Sequence, residues 1–209
     1  MSEFEAFRKF AVEEESEWTP ATEKNGVKVT RRVLKDSPLK VSRGVTEIAV
    51  PVAFVRKMIE RMEERPKWDK LIAECKSLRV VDADHLFAYM KSVVPGMFIS
   101  ARDFVLDVRA KSYDDGSQVI LASSPATEAE SLKEAALPKG VVRGRATNSG
   151  YVLTPVAGDP SRTQVVYVIQ LDLAGSLPTA IVNASLSDEP LCLANFRELA
   201  EKTFAEEKH

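Results

Sequence analysis

Cysteine and histidine are scarce in this chain. Only Cys75 and Cys192 occur among its 209 residues, and they form no CxxC pair. That excludes a zinc ribbon and a disulfide-stapled secreted scaffold. The two histidines are His85 and His209. A multi-histidine metal site is therefore excluded, and His85 alone could serve a histidine-based triad. No metal or cofactor is expected. Nine glycines and eleven prolines are too few for a collagen-like or low-complexity chain. Neither sign of charge dominates: 29 Lys and Arg stand against 31 Asp and Glu, with a sequence pI of 5.9. A dedicated nucleic-acid binder usually carries a basic patch or stripe, so no nucleic-acid partner is expected. The longest apolar run lies around Val93–Ile99 and is broken by Pro95-Gly96, where a membrane span needs ~20 apolar residues. The opening MSEFEAFRKFAVEEESEW has no basic region ahead of an apolar one, so no secretory signal is expected. The expectation is a soluble, cytoplasmic monomer.

What is present is enough for a core: 44% of residues are hydrophobic and 29% charged. No internal repeat or Gly/Ser/Pro linker divides the chain, so 1–209 reads as one domain. Phe4, Phe7, Phe10 and Ala11 predict a helix over 2–16. After the turn signal Asn25-Gly26, Val27, Val29 and Val33 alternate as a half-buried strand, and 40–50 reads as a second strand. Pro51 opens a helix with Val55, Met58, Ile59 and Met62 on its apolar face, ended by Pro66. A further short helix is expected from Trp68 to about Glu74. The period then becomes two, with strands over 78–81, 86–94, 104–111, 119–123, 141–146, 151–156 and 164–172. Turn material separates them, including Asp114-Asp115-Gly116, Asn148-Ser149-Gly150 and Gly158-Asp159-Pro160, which implies an antiparallel sheet. From Thr179 the chain is helical to its end, broken near Pro190. The class is α+β.

Catalytic equipment is sparse. His85 follows Asp82-Ala83-Asp84 in a hairpin turn, and no G-x-S-x-G elbow surrounds any serine, so a structural or surface role is favoured. Asp103, Asp107, Arg109 and Lys111 share one strand face and read as charge-paired. The other face carries Arg102, Phe104, Leu106, Val108 and Ala110, an arginine heading an apolar row. Similar single polar groups occur at Tyr89 after Phe87, Ser123 after Val119 and Leu121, Thr154 between Val152 and Val156, and Gln170 after Val166 and Val168. Strand alternation is read here as placing Arg102, Tyr89, Thr154 and Gln170 on the inner wall of a concave sheet, where an unpartnered polar group costs ~1–3 kcal/mol and invites a ligand.

At Arg102-Asp103-Phe104-Val105 the sequence resembles the START lipid-transfer domain family. Trp18 with Asn25-Gly26-Val27, Lys67-Trp68-Asp69, Tyr113-Asp114-Asp115-Gly116, Val141-Val142-Arg143-Gly144 and Asp172-Leu173-Ala174-Gly175-Ser176-Leu177-Pro178 fall in family order from about 18 to 205. The details are most similar to the small, single-domain, sterol-carrier-like subgroup. The resemblance implies a helix-grip fold: a curved antiparallel sheet wrapped around a long C-terminal helix, enclosing a lipid cavity. It also implies non-enzymatic binding and transfer of one hydrophobic lipid, sterol first and phospholipid second, with transient membrane contact. The alternatives are an enzyme on the same scaffold (cyclase or hydrolase type) and a ligand-responsive interaction module. Some family members pair a buried acid in the strand before the Arg-Asp motif with a later arginine; here that strand offers Tyr89 and Met90, so the pair does not carry over. The candidate lipid-binding set is Tyr89, Arg102, Phe104, Leu106, Ser123, Thr154 and Gln170, with Asn183 and Leu186 on the closing helical segment. Met97, Phe98, Ile99 and Pro190 are the candidate gate and membrane contact.

Overall fold

A computed structural model describes residues 1–13, 15–94, 100–124, 135–175, 177–185 and 188–208. Among these residues ten strands form one sheet: β1 Thr19–Lys24, β2 Val27–Val33, β3 Lys40–Ile48, β4 Ile72–Asp82, β5 His85–Ser92, β6 Arg102–Ser112, β7 Gln118–Ser123, β8 Val142–Arg143, β9 Arg145–Val156 and β10 Asp159–Asp172. Their order is β1-β2-β3-β10-β9-β7-β6-β5-β4, antiparallel throughout, with the short β8 joining β6 in parallel. β10 pairs with both β3 and β9 and so joins the N-terminal strands to the later meander. The helices are α1 Glu3–Arg8, α2 Val52–Glu60, α3 Arg65–Trp68, α4 Thr179–Ser185 and α5 Leu193–Glu207. This is the expected α+β helix-grip architecture: a curved antiparallel sheet with a C-terminal helix.

The sheet is buried on both sides. On the inner side, Phe104, Leu106, Val108, Ile120, Tyr151, Leu153, Val165, Tyr167, Ile169 and Leu171 share a core with α2, Trp68 of α3 and the buried residues Leu193, Phe196 and Ala200 of α5. On the outer side, Val119, Leu121, Val152, Val166 and Val168 pack under Phe7, Ala11 and Trp18 of the N-terminal segment. Each fully buried Val, Leu or Phe contributes roughly 1.5–3 kcal/mol. α1 is capped by a reciprocal Ser2–Glu5 box. It is shorter than predicted because a π-type turn, Lys9–Glu13, follows it and turns Phe10 and Ala11 toward the sheet.

Other boundaries also differ from the sequence reading: β1 is an unpredicted strand, and β4 and β10 begin well ahead of 78 and 164. α2 stops at Glu60, and Pro66 falls in the first turn of α3 rather than ending a longer helix. The expected helix over Trp68–Glu74 ends at Trp68, and Ile72 already begins β4. Asn148-Ser149-Gly150 is no turn between strands but an irregularity inside β9: Val168 pairs with Gly150, yet Gln170 pairs with Thr147. Gly150 has φ 153°, and a Cβ there would lie 2.1 Å from the Ile120 carbonyl oxygen, so only glycine fits. The break near Pro190 is present: Glu189–Cys192 form a 3-10 turn between α4 and α5.

Candidate functional site

The strand end of β6 shows what the Arg-Asp-Phe run does. Consecutive side chains point to opposite faces. Arg102 is buried and donates from Nε to the Leu173 carbonyl (2.9 Å), from Nη1 to Ser100 (2.6 Å) and from Nη2 to Ala174 (3.4 Å). It ties the sheet to the segment that leads into α4. Asp103 turns outward and pairs with Arg143. Phe104 turns inward, and its ring lies where a Cβ on Gly144 would stand, 2.4 Å from Cε1.

α4 is held at several points. Asn183 accepts from the Lys40 amide (2.9 Å) and donates to the Pro38 carbonyl (3.3 Å). Past its end, Arg31 reaches Asp188 at 3.3 Å. Pro190 lies against Gly44 of β3, where a Cβ would come within 2.6 Å of the proline's own.

Beneath that turn lies a buried polar cluster on the inner face. Arg65 and Asp69 stand one helical turn apart, so α3 presents both on one side. The Arg65 guanidinium bonds Asp69 Oδ2 (Nε, 2.9 Å), the Tyr151 hydroxyl, the Tyr167 hydroxyl (3.0 Å) and Glu189 Oε1 (3.3 Å). It also sits 4.1 Å above the Trp68 ring. The rings of Tyr151 and Tyr167 stack at 4.5 Å, and the Tyr167 hydroxyl donates to Glu189 Oε1 (3.0 Å). Burial, and then the neighbouring Asp69, push the Glu189 carboxyl up to about 8, against the pull of Arg65 and the Tyr167 hydroxyl. Its Oε2 receives no N–H or O–H, and a proton on it directed toward Asp69 satisfies both acids. Burial also disfavours the charge of Arg65, but the oxygens of Tyr151, Tyr167 and Asp69 outweigh it and keep the guanidinium protonated. The ligating atoms of Asp69, Glu189 and Cys192 lie within 4.8 Å of one another. Arg65 is at ion-pair distance from both carboxylates, 2.8 and 3.3 Å, and already supplies the positive charge there.

Several predicted wall residues face the other way. Tyr89 belongs with Phe87, Val105 and Ala135 on the outer side of β5 and β6. Burial, then Asp103, push its hydroxyl up to about 12. Ser123 lines a cavity of about 330 Å³ beneath Phe7 and Phe10, also outside. Thr154 follows outward-facing Val152 and shares its face. Gln170 follows outward-facing Val168. Its amide accepts from Thr147 (3.0 Å) and Asn148 (2.7 Å) and donates to the Leu39 carbonyl (2.9 Å) and Ser37 (3.4 Å). The alternation groups these residues correctly, but with two apolar faces it does not say which one is inside. Phe104 and Leu106 do lie on the inner face, as does Arg102, whose donors are taken by backbone carbonyls. Leu186, Met97, Phe98 and Ile99 lie outside the described residues. His85 places Nε2 2.9 Å from Asp107 Oδ1 on the outer, charge-paired face.

Sequence reasoning missed Arg65, Tyr151, Tyr167 and Glu189 as one site. The available signal was the four-residue spacing of Arg65 and Asp69, together with Tyr151 and Tyr167 in the alternate set of Leu153, Val165 and Ile169.

Residues 2–195 match the START domain family. The chain belongs to that family. Horse steroidogenic acute regulatory protein, mitochondrial, is 34% identical over 173 residues, covering 82% of this chain and 58% of that protein. The chain thus spans little more than half the length of such curated relatives. Uncharacterized protein PA1579 of Pseudomonas aeruginosa is 29% identical, over 89% of this chain and 88% of its own. Among solved structures, human StAR-related lipid transfer protein 5 aligns with a TM-score of 0.80 at 24% identity, covering 96% of this chain and 95% of that one. Human STARD10 aligns with a TM-score of 0.81 at 21% identity, covering 99% and 82%. These structural likenesses carry the fold. Family membership supports lipid binding and transfer. No helix among the described residues is long and apolar enough to cross a membrane.

Proposed function

We propose that this START domain binds one hydrophobic lipid against the inner face of its sheet and carries it between membranes without chemical turnover, with a sterol as first candidate and a phospholipid second. The observation that carries this is the inner face itself. Phe104, Leu106, Tyr151, Ile169 and Leu171 form an apolar wall at the α4 end of the sheet, where the Tyr167 hydroxyl and the Arg102 guanidinium are bonded to other side chains or to backbone. Lipid surface placed there gains roughly 25 cal/mol per Å² removed from water, so affinity needs few polar contacts. The steroidogenic name of the mitochondrial relatives puts a sterol first. Phe104, Leu106 and Arg102 are the proposed lipid contacts on this wall. Asn183 acts by holding α4, and Pro190 marks the joint that opens. Met97, Phe98 and Ile99 make brief membrane contact, and the carrier works as a cytoplasmic monomer.

Native mass spectrometry after incubation with vesicles tests the reading. One lipid per protein is expected, recovered chemically unchanged and delivered to acceptor vesicles at a rate that rises with protein concentration. A product that accumulates with time, or protein that leaves vesicles without lipid, would overturn it.

A further inference from the structure

Resting on that reading, we infer that the interior accepts a lipid whose polar group is an uncharged hydroxyl and rejects one that carries a phosphate, and that Asp69 and Glu189 set this choice. A phosphate buried in an apolar chamber needs a cation with donors to offer. Of the described cations on or beside the inner face, Arg31, Arg65, Arg102 and Arg197 are already committed, the last to Thr46 and the Asn25 carbonyl, and Lys40 stands exposed at the rim. Arg31 pairs with Asp188 at the start of the 3-10 turn. Arg102 donates to three backbone carbonyls. Arg65 serves Asp69, Glu189 and two tyrosine hydroxyls at once.

The Arg65 cluster is also electrically complete. Asp69 balances Arg65. Glu189 is 7% exposed, and burial beside Asp69 keeps it protonated at neutral pH. A phosphate arriving there adds a negative charge with no counter-charge, next to an acid that must stay neutral. A hydroxyl adds none, and it can exchange hydrogen bonds with the tyrosine hydroxyls or the Glu189 carboxyl. The cluster lies on the face that the carrier reading gives to the lipid. Tyr151 and Tyr167 sit on the inner face, continuous along β9 and β10 with Ala146, Ile169 and Leu171 toward the α4 end, while toward α5 the face is filled by Leu193 and Phe196.

The test presents the whole protein with phosphatidylcholine vesicles containing one-tenth cholesterol, or one-tenth dioleoylglycerol, and identifies the extracted lipid by native mass spectrometry. Wild type is expected to carry cholesterol or the diacylglycerol at least ten-fold more often than phosphatidylcholine, despite the latter's excess; the two arms tell which hydroxyl-bearing lipid fits. D69N/E189Q removes both acids and leaves Arg65 unbalanced. Its phosphatidylcholine occupancy should rise at least ten-fold, whereas E189Q alone, which imitates the neutral acid, should keep the wild-type preference. Wild type loaded mainly with phosphatidylcholine overturns the inference and leaves the carrier reading standing, and this arm needs no variant to fold. A folded D69N/E189Q with unchanged preference also overturns the role of the two acids. Wild type that extracts no lipid overturns the carrier reading and this inference with it.

Discussion

Asp103 and Arg143, forty residues apart, meet as a two-point ion pair: Nε to Oδ1 at 2.8 Å and Nη2 to Oδ2 at 3.1 Å. Asp103 is fully buried, and Arg143 also donates to the Ala135 carbonyl at 2.7 Å. Two runs that look like separate signatures in the sequence are thus the two halves of one contact, which fixes β8 against β6.

Breaking that pair from one side should be costly. R143M leaves the fully buried Asp103 without its counter-charge, and a loss of about 3–5 kcal/mol is expected, whereas D103N, which leaves the partly exposed Arg143, should cost less. R143K should recover little, because an ammonium does not reproduce the two-point geometry. Thermal unfolding of the two single variants and the double variant checks this. The double should lose less than the sum of the singles.

The Glu189 carboxyl should make stability fall with alkali. Its folded-state value, about 8, lies above its ordinary 4.5, so the native protein holds a proton that the unfolded chain has released. The contribution is full below about pH 4.5, declines as pH rises and is gone above about 8. Unfolding curves for wild type and E189Q from pH 5 to 9 check it. The variant should lack this part of the decline, a difference on the order of 5 °C in Tm across the range.

Much of the fold was legible because strands and helices differ in period. The β5 to β7 meander, the strand ending at Asp172 and the break at Pro190 all follow from alternation, turn residues and the missing proline donor. The inner wall was not legible to the same degree. Val152, Val166 and Val168 look like core residues, and they are, but of the layer under Phe7 and Trp18. Alternation cannot rank two buried faces, which is why Tyr89, Ser123, Thr154 and Gln170 read as inner residues but lie on the outer side. The Asn148 to Gly150 bulge was hidden because its residues are also turn formers. Arg65 and Glu189, 124 residues apart, meet only through the folded chain.

The outward placement of Thr154 and Gln170 decides what two substitutions should do. Thr154→Val is expected to leave lipid occupancy at the wild-type level, with stability changed by no more than about 0.5 kcal/mol. Gln170→Leu should also leave lipid preference alone but destabilise by about 1–3 kcal/mol, since Thr147, Asn148 and the Leu39 carbonyl lose their partner. Lipid extraction and thermal unfolding, run side by side, separate the two effects.

Both thiols should be inert while the protein is folded. Burial pushes Cys75 up to about 12, and burial with Glu189 beside it pushes Cys192 well above its ordinary range. The thiolate is the reactive form. A colorimetric disulfide reagent should therefore react slowly at pH 8 and titrate both cysteines within minutes in denaturant. Rapid native labelling of Cys192 would show that the joint around Glu189 opens readily.

Gly44 leaves room for the turn above it. Gly44→Ala would set a methyl 2.6 Å from Pro190 Cβ and 3.3 Å from Leu193 Cδ1. A loss of about 1–3 kcal/mol is expected. Hydrogen exchange should rise first in the amides of 188–196, before the sheet responds.

The double burial of the sheet also bears on where this domain can be cut. A boundary placed at Thr19 would keep every strand and every helix after α1, and the inner core would be unchanged. It would strip Phe7, Ala11 and Trp18 from the outer valines, and with them the ion pairs from Glu3, Glu5 and Arg8 to Arg109, Lys111 and Asp115. A fragment trimmed in this way should retain its lipid yet self-associate through the uncovered stripe. The first eighteen residues cover the outer face of the sheet, while the inner core is built entirely from the chain that follows them.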